Sequence, residues 1–221
     1  LVFVKVTFLQ LFFFKILRIL KKYFKGLSSD QEEKFEALFD LYLKWNSKIN
    51  LISRKDFNNF YERHVLHSLS IAKILKFKCD ESILDVGTGG GFPGIPLAIL
   101  FPSANFYLID KTKKKIKVVN SIKKKLELNN VNALNIDAND FTKKVDFIVA
   151  RAVTNMKDFQ YLVRNKSKKG IFYLKGGDLS YEIATFKKVQ FYDINKFFKE
   201  PFFETKKIVY IPIDWDLNYL C

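Results

Sequence analysis

The stretch that most limits this chain is "ILDVGTGGGFPGIPLAI", residues 83–99, where Gly87, Gly89, Gly90, Gly91 and Gly94 lie between two apolar runs. So many glycines make sense where the backbone needs left-handed φ values or must be approached closely. "SILDVG" reads as a short buried strand. "PGIPLAILF" reads as the start of a helix, with proline tolerated in its first turn. In an open α/β sheet the crevice outside the carboxyl ends of the strands holds the ligand. A glycine-rich turn at that place is therefore a ligand site.

The rest of the chain supplies the sheet. "NFYLID", "VNALNID", "VDFIVAR" and "GIFYLKGG" read as further strands, with helices at "KKKIKVVNSIKKKLEL" and "NMKDFQYLVRN" between them. Strands alternating with helices mean parallel βαβ units. "VQFYDINKF" and "KKIVYIPI" follow without a helical pattern and fit an antiparallel hairpin at the sheet edge. Before the sheet, Ser29 and Glu32 form a capping-box pattern. Phe35, Leu38, Phe39, Tyr42 and Trp45 then recur at helical spacing, the mark of a core-facing stripe. A second helix is expected over Phe57–Leu75. The expected organisation is an apolar extension at 1–20, a helical segment at 21–78 and an α/β domain at 79–221, the last two forming one compact unit.

With 221 residues the chain suits one domain, and a 48% apolar composition is ample for its core. Its formal charge of +15 suits a polyanionic partner such as nucleic acid, or equally a composition rich in lysine throughout its source. Cys79 and Cys221 have no CxxC spacing, which excludes a disulfide scaffold and points to a reducing, cytoplasmic setting. In residues 1–20, Lys5, Gln10, Lys15 and Arg18 interrupt the apolar run, so it falls short of the roughly 20 apolar residues of a membrane span. No small-residue cleavage site follows it, so neither a secretory signal nor stable membrane insertion is expected.

The glycines admit two readings. Gly89, Gly91 and Gly94 fit GxGxxG, a dinucleotide fingerprint. Gly87, Gly89 and Gly91 fit GxGxG with Asp85 in front. The first glycine should directly follow the strand, and counted from Gly87 the dinucleotide spacing fails at Phe92. Phe92-Pro93 also adds bulk and removes a donor where a pyrophosphate would sit. Asp85 suits the ammonium of S-adenosylmethionine better than a phosphate. Asp110, ending the second strand, can accept hydrogen bonds from ribose hydroxyls, or can cap the next helix. Asp137 to Asn139 stand where an adenine edge would be read, or form a plain polar loop.

These motifs resemble a known family. "DVGTGGGFPGIPLAI", then "LID", "VARAV" and "YLKGG", with "WNSKINLISRKD" and "RHVLHSL" upstream, are similar to the bacterial small-subunit rRNA methyltransferase G family, also called glucose-inhibited division protein B. The resemblance spans roughly residues 20–215. It implies a class I S-adenosylmethionine-dependent methyltransferase fold: a Rossmann-like, mostly parallel seven-stranded sheet with an antiparallel last strand, behind a helical N-terminal segment. It implies methyl transfer to N7 of one guanine in the 530 loop of 16S rRNA, with 16S rRNA or the 30S subunit as partner. It places Gly87, Phe92, Ala138, Asn139 and Arg151 at the cofactor. Asp85, Gly89, Gly91 and Asp110 join them from the physics of the turn. Two departures stand out: Asp137 and Asn139 replace a common Arg and Glu, and His67 replaces a common Asp.

Guanine N7 has a free lone pair, so methyl transfer needs no general base, and catalysis should rest on proximity and orientation. No catalytic dyad is expected. Arg63, His64 and Lys175 are the expected substrate contacts, with Lys175 alternatively a solvated strand-end charge. Arg151 could instead pair with Asp110 or Asp137. His64 and His67 share a helix face but lack further ligands, so no metal site is expected. Lys113–Lys117, Lys123–Lys125 and "RNKSKK" should meet phosphates. A monomer without protein partners is expected. The alternatives are the same fold acting on another RNA, a protein or a small molecule; a nicotinamide enzyme; and a non-enzymatic RNA or membrane binder. The absence of an N/D-P-P-Y/F motif argues against amino-nitrogen methylation.

Overall fold

The computed structural model describes residues 18–177, 179–183 and 188–213. Most of the apolar extension and Cys221 lie outside them. Residues 18–23 are helical, and Leu20 is fully buried in the main core, so the end of that extension belongs to the fold.

The first long helix, α1, spans Ser29–Asn46. Its cap lies one residue earlier than the sequence suggested. Ser28 Oγ accepts from the Gln31 backbone N–H at 3.2 Å, and Gln31 Oε1 accepts from the Ser28 N–H at 3.0 Å. The reason is the amide of Gln31. Its Nε2 also donates to the carbonyls of Ile99 and Leu100, at 3.0 and 3.1 Å, which a Glu32 carboxylate could not do.

The expected second helix is a run of changing pitch. It passes from an α turn at Arg54–Phe57 through a π-helical stretch at Tyr61–Leu66 to α and 3-10 turns at His67–Leu69 and Ser70–Lys73. Serine hydroxyls compete for the helix carbonyls here: Ser68 Oγ donates to His64 O and Ser70 Oγ to His67 O, both at 2.6 Å. The widened turn carries Arg63 and His64, and π turns of this kind recur at functional sites.

Then comes the alternating part: β1 Ser82–Val86, α2 Gly94–Leu100, β2 Asn105–Ile109, α3 Lys113–Lys125, β3 Val131–Leu134, β4 Val145–Arg151, α4 Met156–Val163, β5 Ser167–Gly176, α5 Ser180–Ile183, β6 Gln190–Asp193 and β7 Lys206–Pro212. The seven strands form one sheet in the order β3-β2-β1-β4-β5-β7-β6. The first five are parallel, and β7 runs antiparallel to both β5 and β6. The order reverses between β1 and β4, which opens a crevice at their carboxyl ends.

Strand alternation divides the core. Ile83, Phe147 and Val149 face the N-terminal helices and α2. Leu84, Val86, Ile148 and Ala150 face α4. Asp85 and Arg151 continue the first series, so both point towards the N-terminal helices. Leu20, Phe35, Leu38 and Tyr42 pack into that same cluster.

Candidate active site

The glycine loop leaves β1 at Val86 and reaches α2 at Gly94. Gly87, Gly89 and Gly91 have φ of +65°, +59° and +101°. Only Gly89 opens onto free space: a Cβ there would meet nothing nearer than Gly87 O at 3.9 Å. Gly91 is packed inward, and a Cβ would lie 2.6 Å from Ile95 Cγ1. At Gly94 a Cβ would lie 2.7 Å from both Asp85 Oδ2 and Leu108 Cγ.

Asp85 lies beneath the loop. It is fully buried. Its Oδ2 accepts from Thr88 Oγ1 at 2.6 Å and from the Gly94 N–H at 2.8 Å, and its Oδ1 is buried without a partner. Burial pushes its pKa up to about 7. The carboxylate pins both ends of the loop.

Asp110 lies across the loop. Its Oδ2 accepts from the Gly89 N–H at 3.0 Å and its Oδ1 from the Thr112 N–H at 2.8 Å. Thr112, not Asp110, is the cap residue of α3. The carboxylate thus binds the next turn and still sits beside the open face of Gly89, at the end of β2 where a ribose would lie. The third expected contact region is a 3-10 turn at Ala138–Asp140. Asn139 folds back there, with both its backbone N–H and its Nδ2 donating to Asp137 Oδ1 at 2.9 Å.

Phe92 turns its ring into the core. The ring is 3% exposed and packs with centroids 4.8 Å from Tyr42, 5.9 Å from Phe60 and 5.4 Å from His64. Arg151 covers its other side, with the guanidinium carbon 5.0 Å from the ring centroid. Arg151 pairs with neither Asp110 nor Asp137. It donates to the Arg63 carbonyl at 3.3 Å and faces His64 Nδ1 at 3.2 Å. Burial lowers its pKa to about 10, with Asp85 opposing, so it stays charged at neutral pH.

Beside the loop, over the ends of β4 and β5, lies a cavity of about 570 Å³. Arg63, His64, His67, Arg151, Lys175 and Phe202 are among its walls. The expected substrate residues thus come together, with Arg151 standing between them and the loop. Lys175 is held: its Nζ lies 2.6 Å from Glu182 Oε2 and 3.1 Å from Thr154 O. The sequence reading missed Tyr42, Glu182 and Phe202. Tyr42 sits on the core stripe of α1, and its hydroxyl is the one feature that could have marked it.

An open α/β sheet with a glycine-lined gap at the β1 end, an acid at the β2 end and a cavity over β4 and β5 defines a class I methyltransferase. The model for rRNA small subunit methyltransferase G matches residues 31–208. The chain belongs to that family. It is 54% identical over 204 residues to the ribosomal RNA small subunit methyltransferase G of Flavobacterium psychrophilum, covering 89% of this chain and 98% of the relative. It is 50% identical over 205 residues to that of Cytophaga hutchinsonii, covering 89% and 99%. Among solved structures, a SAM dependent methyltransferase from Aquifex aeolicus matches with a TM-score of 0.54 at 18% identity, covering 74% of this chain and all (100%) of that one. Aeropyrum pernix fibrillarin with bound S-adenosyl-L-methionine matches with a TM-score of 0.52 at 13% identity, covering 68% and 75%. These two support the fold.

Proposed function

We propose that this chain transfers the methyl group of S-adenosylmethionine to N7 of a single guanine in the 530 loop of 16S rRNA. The observation that carries this reading is the adjacency of two sites. An open glycine turn with an acid beside it adjoins a cavity walled by Arg63, His64 and Arg151.

The residues fit the cofactor. The space above Gly89 would be filled by any side chain at that position. Gly87 and Gly89 would receive the amino-acid part on backbone, and Asp110 would take the ribose. The turn at Ala138 and Asn139 would flank the adenine. S-adenosylmethionine supplies an electrophilic methyl group on sulfonium. The protein supplies position. N7 needs no deprotonation, and no histidine here is suited to take a proton. Burial, helped by the Arg151 charge, lowers His64 to about 3. Holding the base by groups other than N7, with N7 in line with the methyl, is the catalytic act. Exposed Lys113, Lys114, Lys117, Lys124 and Lys125 on α3 add phosphate contacts around it. Among the described residues no helix is long and apolar enough to cross a membrane.

The test offers labelled S-adenosylmethionine with 30S subunits and, separately, with deproteinised 16S rRNA. The labelled site is mapped by cleavage at N7-methylguanine. Label at one guanine of the 530 loop supports the reading. Cofactor binding with no label in either RNA would turn the search to another substrate for the same fold.

A further inference from the structure

Two buried ring nitrogens in the cavity wall have no partner: Nε2 of His64 and Nε2 of His67. His67 is 6% exposed. An unpaired polar atom inside a protein is costly and asks for an explanation. The partners of the other ring nitrogens fix what each can do.

His64 Nδ1 faces Arg151 Nη2 at 3.2 Å. A guanidinium only donates, so Nδ1 must accept and the ring proton sits on Nε2. The Arg63 carbonyl, one turn back, favours a proton on the His67 nitrogen that faces it. With Nε2 buried and unpartnered, that nitrogen is Nδ1, and Nε2 keeps a bare lone pair. These tautomers are assigned from the partners. Burial, the main cause for both rings, keeps them neutral. The two rings thus leave one unused donor, at His64, and one unused acceptor, at His67, a single helical turn apart, and Arg63 Nε is a further unused donor in the same wall.

We infer that His64 and His67 read the edge of the target base, His64 Nε2–H donating to guanine O6 and His67 Nε2 accepting from guanine N1–H. The inference rests on the guanine-N7 reading above. Neither bond uses N7, which stays free for the methyl group. Adenine presents an amino donor to His64 and a bare N1 to His67, so both contacts become repulsive. Sites built to hydrogen-bond a polar substrate group reject analogues lacking it far more strongly than apolar pockets reject an altered shape. Both Nε2 atoms are closed to water in the free protein. The partly buried ring of Phe202 packs edge-on to His67 at 5.5 Å, and the Arg63 guanidinium lies 5.4 Å over Phe202. Base reading requires the entering base to displace Phe202 from His67.

The experiment uses full-length protein and 16S rRNA whose target carries guanine, inosine or 2-aminopurine at one position. Inosine keeps O6 and N1–H, and 2-aminopurine lacks both. For the wild type, kcat/KM should be similar on guanine and inosine and far lower on 2-aminopurine. In His67→Leu and His64→Phe, kcat/KM on guanine and inosine should fall roughly 10- to 100-fold, with 2-aminopurine nearly unchanged. His67→Gln, which restores an acceptor near the same place, should recover part of the loss. Cofactor affinity and the thermal midpoint report folding. Equal losses on all three bases in folded variants, or no loss, would overturn the base-reading role and leave the methyltransferase reading intact. No methylation of guanine by the wild type would remove both.

Discussion

The hydroxyl of Tyr42, on α1, donates to the carbonyl of Gly90 at 2.5 Å, joining the N-terminal helix to the glycine loop. The Tyr42 ring is fully buried, and burial raises its pKa, so the hydroxyl stays a neutral donor. The helical segment therefore shapes the turn, and is more than a cover for the sheet. Tyr42→Phe keeps the ring packing and leaves a buried carbonyl unpaired. Expected are a loss of about 1–3 kcal/mol in urea unfolding and a weaker cofactor affinity by isothermal titration. If both measurements match the wild type, the bond does not hold the loop.

The glycines separate by task. Gly89→Ala places a methyl in the open gap, at a φ of +59°. The left-handed backbone should cost about 1–2 kcal/mol, which a folded domain tolerates, while cofactor affinity falls at least about tenfold. Gly94→Ala drives a methyl to 2.7 Å from Asp85 Oδ2 and Leu108 Cγ. It should chiefly destabilise, by about 1–3 kcal/mol or more. Thermal melts with and without cofactor distinguish the two: a ligand-induced change in midpoint should persist in Gly94→Ala wherever it folds and shrink in Gly89→Ala.

The sheet and its glycine turn were legible because hydrophobic period and glycine spacing are local signals. Asp110 at the end of β2 was legible for the same reason. What escaped was set by tertiary contacts. Asp85 reads as an acid suited to a ligand ammonium, and its bond to Gly94, set by the strand period that turns it inward, is not visible in the sequence. Phe92 reads as a loop residue facing a ligand, yet its ring fills a niche between Tyr42 and Arg151. The capping box shifted to Ser28 because Gln31 meets carbonyls 68 residues and more away, beyond any local pattern. Lys175 reads as a substrate contact or a solvated strand-end charge, and its tie to Glu182, seven residues on, is a tertiary contact that no local pattern marks.

Asp85 predicts an unusual pH dependence. Its pKa rises from 3.8 unfolded to about 7 folded. Between those values the native state binds the extra proton, so this group's contribution is present below about pH 4 and is lost as pH rises through 7. Asp85→Asn keeps an oxygen for Thr88 and the Gly94 N–H but cannot titrate. Carboxylates such as Asp56 and Asp146, whose pKa values are lowered in the fold, work in the opposite sense in both proteins and cancel in the difference. Urea unfolding from pH 4 to 8 should show wild-type stability falling relative to Asp85→Asn by a few kcal/mol, on the order of 1.4 kcal/mol for each pH unit that separates the folded and unfolded pKa. Parallel profiles would mean that the carboxylate is not buried as described.

The Lys175–Glu182 pair holds a lysine charge at the cavity rim. Lys175 is only 12% exposed, held by Glu182 and by the Thr154 carbonyl, while Glu182 also accepts from the Met156 N–H at 3.0 Å. Glu182→Gln retains an acceptor for Met156 and releases the lysine charge. Each phosphate contact adds roughly 0.7–0.9 to the slope of log affinity against log salt. The Gln variant should therefore bind 16S rRNA more tightly at low salt, with a slope steeper by up to about that amount. Replacing Lys113, Lys114 and Lys117 together by Gln should act in the other direction, making the slope shallower by about two where all three meet phosphate. Filter binding from 50 to 300 mM salt, a range chosen to span several Debye lengths, reads both (about 14 Å down to 6 Å). An unchanged slope in Glu182→Gln would mean that Lys175 stays on Thr154 as a brace for the β4 end, and that rRNA is held by α3 and the Arg63 wall without it.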